Sequence, residues 1–237
     1  MGIKKTLVST AAGERLLSEL EVPLDLDALS PGSGPWEVEI GFGKGRYLLR
    51  RAREEPQGRF LGIEIASKYH RRVARRVRKW GLANVVALRG DGPYLMSAVL
   101  PEGFAQAVHV YFPDPWPKAR HHKRRLFDPE NLDLLFRMLR PDGRLWLATD
   151  FLDYGELAEA MLRAMPGLEI ERLDEPWPEG PRTNYEAKYM EEGRPILRLG
   201  VRIRIEGAKE EDRGALHPAG AAGIHCAWAE RQDPADG

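Results

Sequence analysis

The chain of 237 residues holds one cysteine, Cys226. No disulfide can close within it, and a reducing compartment, the cytoplasm, is the expected setting. It has no apolar run of the roughly 18 residues that a membrane span requires. The opening stretch, "MGIKKTLVSTAAGERLL", carries two lysines but no long apolar segment, so neither a signal peptide nor a membrane partner is expected. Net charge is missing as well: 36 Lys and Arg balance 36 Asp and Glu. Proteins that coat DNA are basic overall, so DNA is not an expected partner. Metal-ligand spacing is also absent. His121 and His122 are adjacent and sit among cations, and His109 lies in an apolar segment that reads as core. A chain of this length can bury a sizeable core without metal or disulfide staples.

The charge that is present comes in blocks. Seven Lys and Arg and no acid lie between Lys68 and Lys79, and five more and no acid between Lys118 and Arg125. Arginine outnumbers lysine, which suits phosphate binding but also follows from a GC-rich genome. Strand-like and helix-like segments alternate. "WEVEI" (36–40), "RFLGIEI" (59–65), "NVVALRG" (84–90), "AQAVHVYF" (105–112) and "GRLWLAT" (143–149) read as buried strands. Helices are expected over about 45–55, 67–80, 93–100, 129–139 and 152–165. This alternation predicts an α/β fold with a parallel, doubly wound sheet. "LEIERL" and "PILRLGVRIRI" read as two late strands, and the "TNYEAKYMEEG" between them is short for a crossover, so an antiparallel pair is expected. Residues 1–35 read as a leader helix and a linker, "SPGSGP". Residues 36–206 read as the folded domain, and 207–237, rich in Ala and Gly, as a mobile tail.

The first strand ends in "IGFGKG". Gly41, Gly43 and Gly45 allow positive φ and close backbone approach, at the sheet edge where α/β folds bind ligands. An ordinary glycine-rich turn is the bland alternative. The G-x-G-x-G spacing is not the G-x-G-x-x-G of dinucleotide sites. Glu39, two residues before the first glycine, would repel a pyrophosphate but could pair with an ammonium group, which favours S-adenosyl-L-methionine. Glu64 ends the second strand, where a carboxylate typically accepts both ribose hydroxyls of an adenosine. Asp91 follows the third strand and could meet an adenine edge. Glu64 and Asp91 could each instead be a helix cap. Three carboxylates at the ends of three consecutive strands carry more weight than any one alone.

The fourth strand runs into "FPDPWPKARHHKRR". Pro113, Pro115 and Pro117 restrict the backbone around Asp114, and a rigid corner suits a group that must hold a planar base with little positional error. Trp116 either stacks on that base or packs. The cationic run reads as an arm for phosphates or, on composition alone, as a solvated basic loop. On the helix expected over 67–80, Tyr69, Val73, Val77 and Trp80 share an inward face. Arg71, Arg72, Arg75, Arg76 and Lys79 lie outside it, as a solubilising face or a secondary RNA contact.

Taken in order, "VEIGFGKG", "GIEI", "FPDPWPKARHHKRR", "ATDFLDY" and "RTNYEAKYMEEGRPILRL" resemble the bacterial tRNA (guanine-N7-)-methyltransferases, from about Trp36 to Ile205. The resemblance implies a class I methyltransferase fold, Rossmann-like, with helices on both faces of a seven-stranded sheet whose last strand is antiparallel. It implies transfer of a methyl group from S-adenosyl-L-methionine to N7 of a guanine in the tRNA variable loop, by a cytoplasmic monomer or homodimer. It puts Glu39, Gly41, Gly43, Gly45, Glu64, Asp91 and Asp114 on the cofactor and makes Asp114 catalytic. Lys118, Asp150, Thr183, Asn184, Tyr185 and Glu186 match substrate-binding positions. Arg120, His121, His122, Lys123, Arg124 and Arg125 match the RNA-contact segment. The chain departs from the family at its start, where only Lys4 and Lys5 precede Arg15, and in its Ala/Gly tail.

Guanine N7 carries a lone pair at neutral pH, so the reaction needs alignment rather than a general base. A nicotinamide-dependent oxidoreductase is disfavoured by the glycine spacing and by Glu39. A non-catalytic RNA-binding relative is disfavoured by the intact set of four carboxylates. Methylation of another base or of protein is separated from the N7 reading only by the family resemblance.

Overall fold

The computed structural model describes residues 6–116, 118, 120 and 125–203. The expectations for Lys4, Lys5, Pro117, His121, His122, Lys123, Arg124 and the tail from Gly207 fall outside these residues.

Five apolar segments form the parallel core of the sheet: β3 (Trp36–Ile40), β4 (Arg59–Glu64), β5 (Val85–Arg89), β6 (Ala105–Tyr111) and β7 (Leu139–Thr149). Val38, Leu61, Val86, Val108 and Leu145 are fully buried, as strands covered on both faces require. Helix α2 (Arg46–Glu54) and helix α3 (Ser67–Trp80) cover one face, through Leu48, Leu49, Val73 and Val77. Helices α4 (Gly92–Ala98), α5 (Pro129–Met138) and α6 (Leu152–Ala164) bury Leu95, Leu132, Leu135 and Met161 in the core of the other. Helices α4 and α5 start where the sequence signals it: Asp91 and Asp128 cap them, each with proline in the first turn.

The sheet order is β2-β1-β5-β4-β3-β6-β7-β9-β8. Strand β9 (Leu197–Ile203) runs antiparallel to both β7 and β8 (Leu168–Arg172), as the short connection between the late strands predicts. Seven strands thus form the expected sheet, and two more extend it. These two are the one departure in architecture among the described residues. The leader is not a helix but a hairpin, β1 (Leu7–Thr10) and β2 (Gly13–Leu16), followed by the single-turn helix α1 (Leu26–Leu29). Four-residue strands show too little periodicity to be read locally. Pairing decides them, since Leu7, Val8 and Ser9 lie opposite Arg89, Leu88 and Ala87 of β5.

The chain winds outward through β3, β4 and β5, then returns to place β6 beside β3. The crevice at the carboxyl ends of β3 and β6 is therefore the topological switch point, where open α/β sheets bind ligands.

Candidate active site

Two loops meet at the switch point. The first is the glycine turn after β3. Gly41, Gly43 and Gly45 have φ of 76°, 51° and 71°, so all three use the left-handed region that side chains resist. Gly45 also has no room for a side chain, because a Cβ there would lie 2.6 Å from Val73 Cγ2. At Gly41 a Cβ would meet nothing within 4 Å, so that part of the turn borders open space.

The carboxylates of the sheet edge hold this turn. Glu64 accepts from Gly43 N at 2.8 Å with one oxygen and from Ala66 N at 2.7 Å with the other. It thereby ties the glycine turn to the start of α3. Glu39 is 3% exposed and accepts from Leu48 N at 3.1 Å. Burial, reinforced by the nearby charge of Glu64 and only partly opposed by the Leu48 N–H, pushes its carboxyl up to about 8. Asp91 is half-buried and accepts from Tyr94 N at 3.1 Å. Glu39, Glu64 and Asp91 stand at the ends of three adjacent strands or just beyond them.

The second loop is the corner after β6. Asp114 is exposed there, between two residues with positive φ: Phe112 at 52° and Trp116 at 43°. Such backbone costs about 1–3 kcal/mol per non-glycine residue and concentrates at functional sites. The corner is pinned from outside the mouth. Phe112 N donates to Ala148 O at 2.7 Å, and Arg125 Nε donates to Pro115 O at 2.7 Å. Arg125 corrects the reading of the arm. It is 3% exposed, with its guanidinium 5.2 Å from the Tyr154 ring centre, so it braces the corner and presents nothing to a phosphate. Lys118 and Arg120 are exposed.

The segment after β8 closes the mouth's third side through helix α7 (Asn184–Glu191). Thr183 caps it, accepting from Glu186 N at 3.0 Å. Glu186, matched by resemblance to a substrate position, is fully buried. Its oxygens accept from Arg182 N at 2.7 Å and Arg198 Nε at 2.9 Å, so it anchors α7 to β9. Asn184 and Tyr185 are exposed, and Asp150 lies 3.8 Å from Arg194 Nη1.

Two aromatic residues not expected at the site from sequence join Tyr185. The Phe112 ring lies 6.5 Å from Tyr185 and 5.6 Å from Tyr189, and the two tyrosines are 6.1 Å apart. The i, i+4 spacing of Tyr185 and Tyr189 on a helix was the available signal. Among the described residues no group of His, Cys, Asp and Glu could hold a metal ion, and no helix is long and apolar enough to cross a membrane.

Residues 33–199 match a family described as "putative methyltransferase". The solved 16S rRNA methyltransferase KamB superposes with a TM-score of 0.60 at 14% identity, covering 84% of this chain and 99% of that one. The 16S rRNA (adenine(1408)-N(1))-methyltransferase of Catenulisporales acidiphilia, solved with its cosubstrate SAM, gives 0.57 at 15% identity, over 86% and 99%. These two likenesses concern the fold. With the family match, they define the chain as an α/β methyltransferase. Its sequence relatives narrow the class. The tRNA (guanine-N(7)-)-methyltransferase of Nitrosococcus oceani is 38% identical over 184 residues, 78% of each chain. That of Roseobacter denitrificans is 39% identical over 73% of this chain and 75% of the relative. The chain belongs to the tRNA (guanine-N(7)-)-methyltransferase family.

Proposed function

We propose that this protein transfers a methyl group from S-adenosyl-L-methionine to N7 of a guanine in the variable loop of tRNA, in the cytoplasm, as a monomer or homodimer. The observation that carries the reading is the placement of four acids, Glu39, Glu64, Asp91 and Asp114, at the ends of four adjacent strands around one switch point. The donor fits the residues present. The open side of the glycine turn at Gly41 and Gly43 leaves room for it. Glu39, buried beside a second carboxylate, suits an ammonium group, and Glu64 and Asp91 suit hydroxyls and an adenine edge.

When bound, the cofactor supplies an electrophilic methyl group. Guanine N7 carries its own lone pair, so no residue has to remove a proton. The task of the protein is to hold N7 in line, which the corner around Asp114 is rigid enough to do. Asp114 orients the base by accepting from its N1–H or amino group. The methylated base is cationic, and Asp114 and Asp150 stabilise the charge as it develops. Tyr185, Phe112 and Tyr189 offer ring faces to an unstacked base, and Lys118 and Arg120 contact the flanking phosphates.

Transfer of radiolabelled methyl to unmodified tRNA transcripts tests the reaction. Label is expected in 7-methylguanosine and is expected to vanish when the variable-loop guanine is changed to adenine. Absence of label from a protein that binds the cofactor would overturn the assignment. Asp114→Asn should lower kcat by about 100-fold, the cost of a misplaced reactant. A variant that regains full rate at high pH would show that Asp114 accepts a proton instead.

A further inference from the structure

The cationic face of α3 has no role in the site described above. Its apolar side packs inward through Val73, Ala74 and Val77, which leaves the seven Lys and Arg between positions 68 and 79 to the remaining surface. Where α3 meets α2 there is a cleft of about 390 Å³, with Arg46, Arg50 and Arg53 from α2 and Arg76 and Trp80 from α3 in its walls. Among the described residues, Glu54 is the only acid lining it. Trp80 is 43% exposed, and the guanidinium groups of Arg53 and Arg76 lie 5.5 and 5.7 Å from its ring centre. Nε and Nη2 of Arg50 are buried without a hydrogen-bond partner among the described residues, and Nε forms a long ion pair with Glu54 at 3.8 Å.

The cleft is also tied to the mouth of the site. Arg76 Nη1 donates to Lys44 O of the glycine turn at 3.3 Å. Arg50 Nη1 donates to Glu179 O, in the segment leading to α7, at 3.4 Å.

We propose that the α2–α3 cleft is a second RNA site, in which the arginines hold backbone phosphates and Trp80 stacks an unpaired base of the same RNA whose guanine enters the mouth. An exposed indole between guanidinium groups, in a groove whose lining is mostly cationic, is the arrangement that binds single-stranded nucleic acid. Charge selects a polyanion, and the ring selects one that carries bases. The hydrogen bonds to the glycine turn and to the segment before α7 put the cleft beside the catalytic mouth, within reach of one RNA. This inference rests on the proposed tRNA substrate.

Measuring tRNA affinity against salt concentration tests it, with Arg46→Gln/Arg53→Gln, its charge-preserving counterpart Arg46→Lys/Arg53→Lys, and Trp80→Ala. The glutamine variant should raise the KM for tRNA about tenfold and flatten the salt slope by roughly 0.7–0.9 for each phosphate no longer neutralised. The kcat at saturating tRNA should hold. The lysine variant should keep the wild-type slope. Trp80→Ala should weaken binding roughly tenfold, the loss of one stacked base, with the slope unchanged. An unchanged KM and slope in the glutamine variant, with methyl transfer intact, would overturn the second site and leave the tRNA reading standing. Wild-type protein that neither binds nor methylates tRNA would overturn both.

Discussion

Glu37 and Glu39 sit two residues apart on one face of β3, beneath the same helix, and their surroundings treat them in opposite ways. Glu37 accepts from Arg51 Nη2 at 2.7 Å and from the Tyr47 hydroxyl at 3.1 Å, with His109 Nε2 3.4 Å away. Burial would raise its carboxyl, but the hydrogen bonds from His109 and Arg51 outweigh burial and hold it at about 2. Burial keeps His109 below the usual histidine range, so near neutral pH Arg51 is the cation that matters. Glu39, one strand repeat nearer the switch point, has a backbone N–H and a neighbouring carboxylate instead, and it is pushed up to about 8. One acid is finished by the protein itself. On the proposed function, the other is finished by a cationic ligand. Position along the strand separates an acid paired within the protein from one that the proposed function leaves to a ligand, although the sequence writes both as Glu in "WEVEI".

The sharpest way to break this contrast is Glu39→Ala. It should weaken S-adenosyl-L-methionine binding about 100-fold in calorimetry, because it would leave a ligand cation buried without its partner. Glu37→Ala should leave that affinity within about twofold. Equal losses in the two variants would erase the distinction. Arg51→Met strands Glu37, and the pair is partly exposed, so a loss of about 2 kcal/mol in urea unfolding is expected with ligand affinity spared. A third effect is smaller. At pH 7 the Glu39 carboxyl holds its proton in the free protein, and a bound ammonium would draw it into the ionised form. Binding enthalpies in buffers of different ionisation heat should then report up to one proton released, and none in Glu39→Gln.

Stability against pH offers a further comparison, and the two acids act with opposite signs. Glu39 binds its proton more tightly folded than unfolded, so its contribution falls as pH rises from about 4.5 to about 8. Glu37 contributes above about 4.5, and that contribution is lost as pH falls towards 2. Glu39→Gln should flatten the decline of the urea midpoint between pH 5 and 8, while Arg51→Met should blunt the acid side.

Much of the molecule was legible because period and position carry it. The buried strands are readable as short apolar runs and α3 as a helix over its full length, and the sequence alone places three carboxylates at the ends of three consecutive strands. What stayed hidden depends on partners distant in sequence. Arg125 looks like the last cation of an exposed arm, yet its guanidinium turns inward to Pro115 O and Tyr154. Glu186 reads as part of an exposed polar motif, but Arg198 on the neighbouring strand takes it into the core. Phe112 reads as the end of a strand. Only the positive φ of the corner turns it towards Tyr189.

The amino-terminal hairpin has a consequence for how copies of this protein meet. By pairing with β5 it removes a largely buried strand from the rim of the sheet and leaves β2 there, four residues long and carrying Glu14 and Arg15. The opposite rim, β8, is five residues long and carries Glu169, Glu171 and Arg172. Short, charged border strands are poor templates for another chain's backbone. Among the described residues both rims of the sheet are thus poor templates, which favours self-association through helices or loops over growth of the sheet.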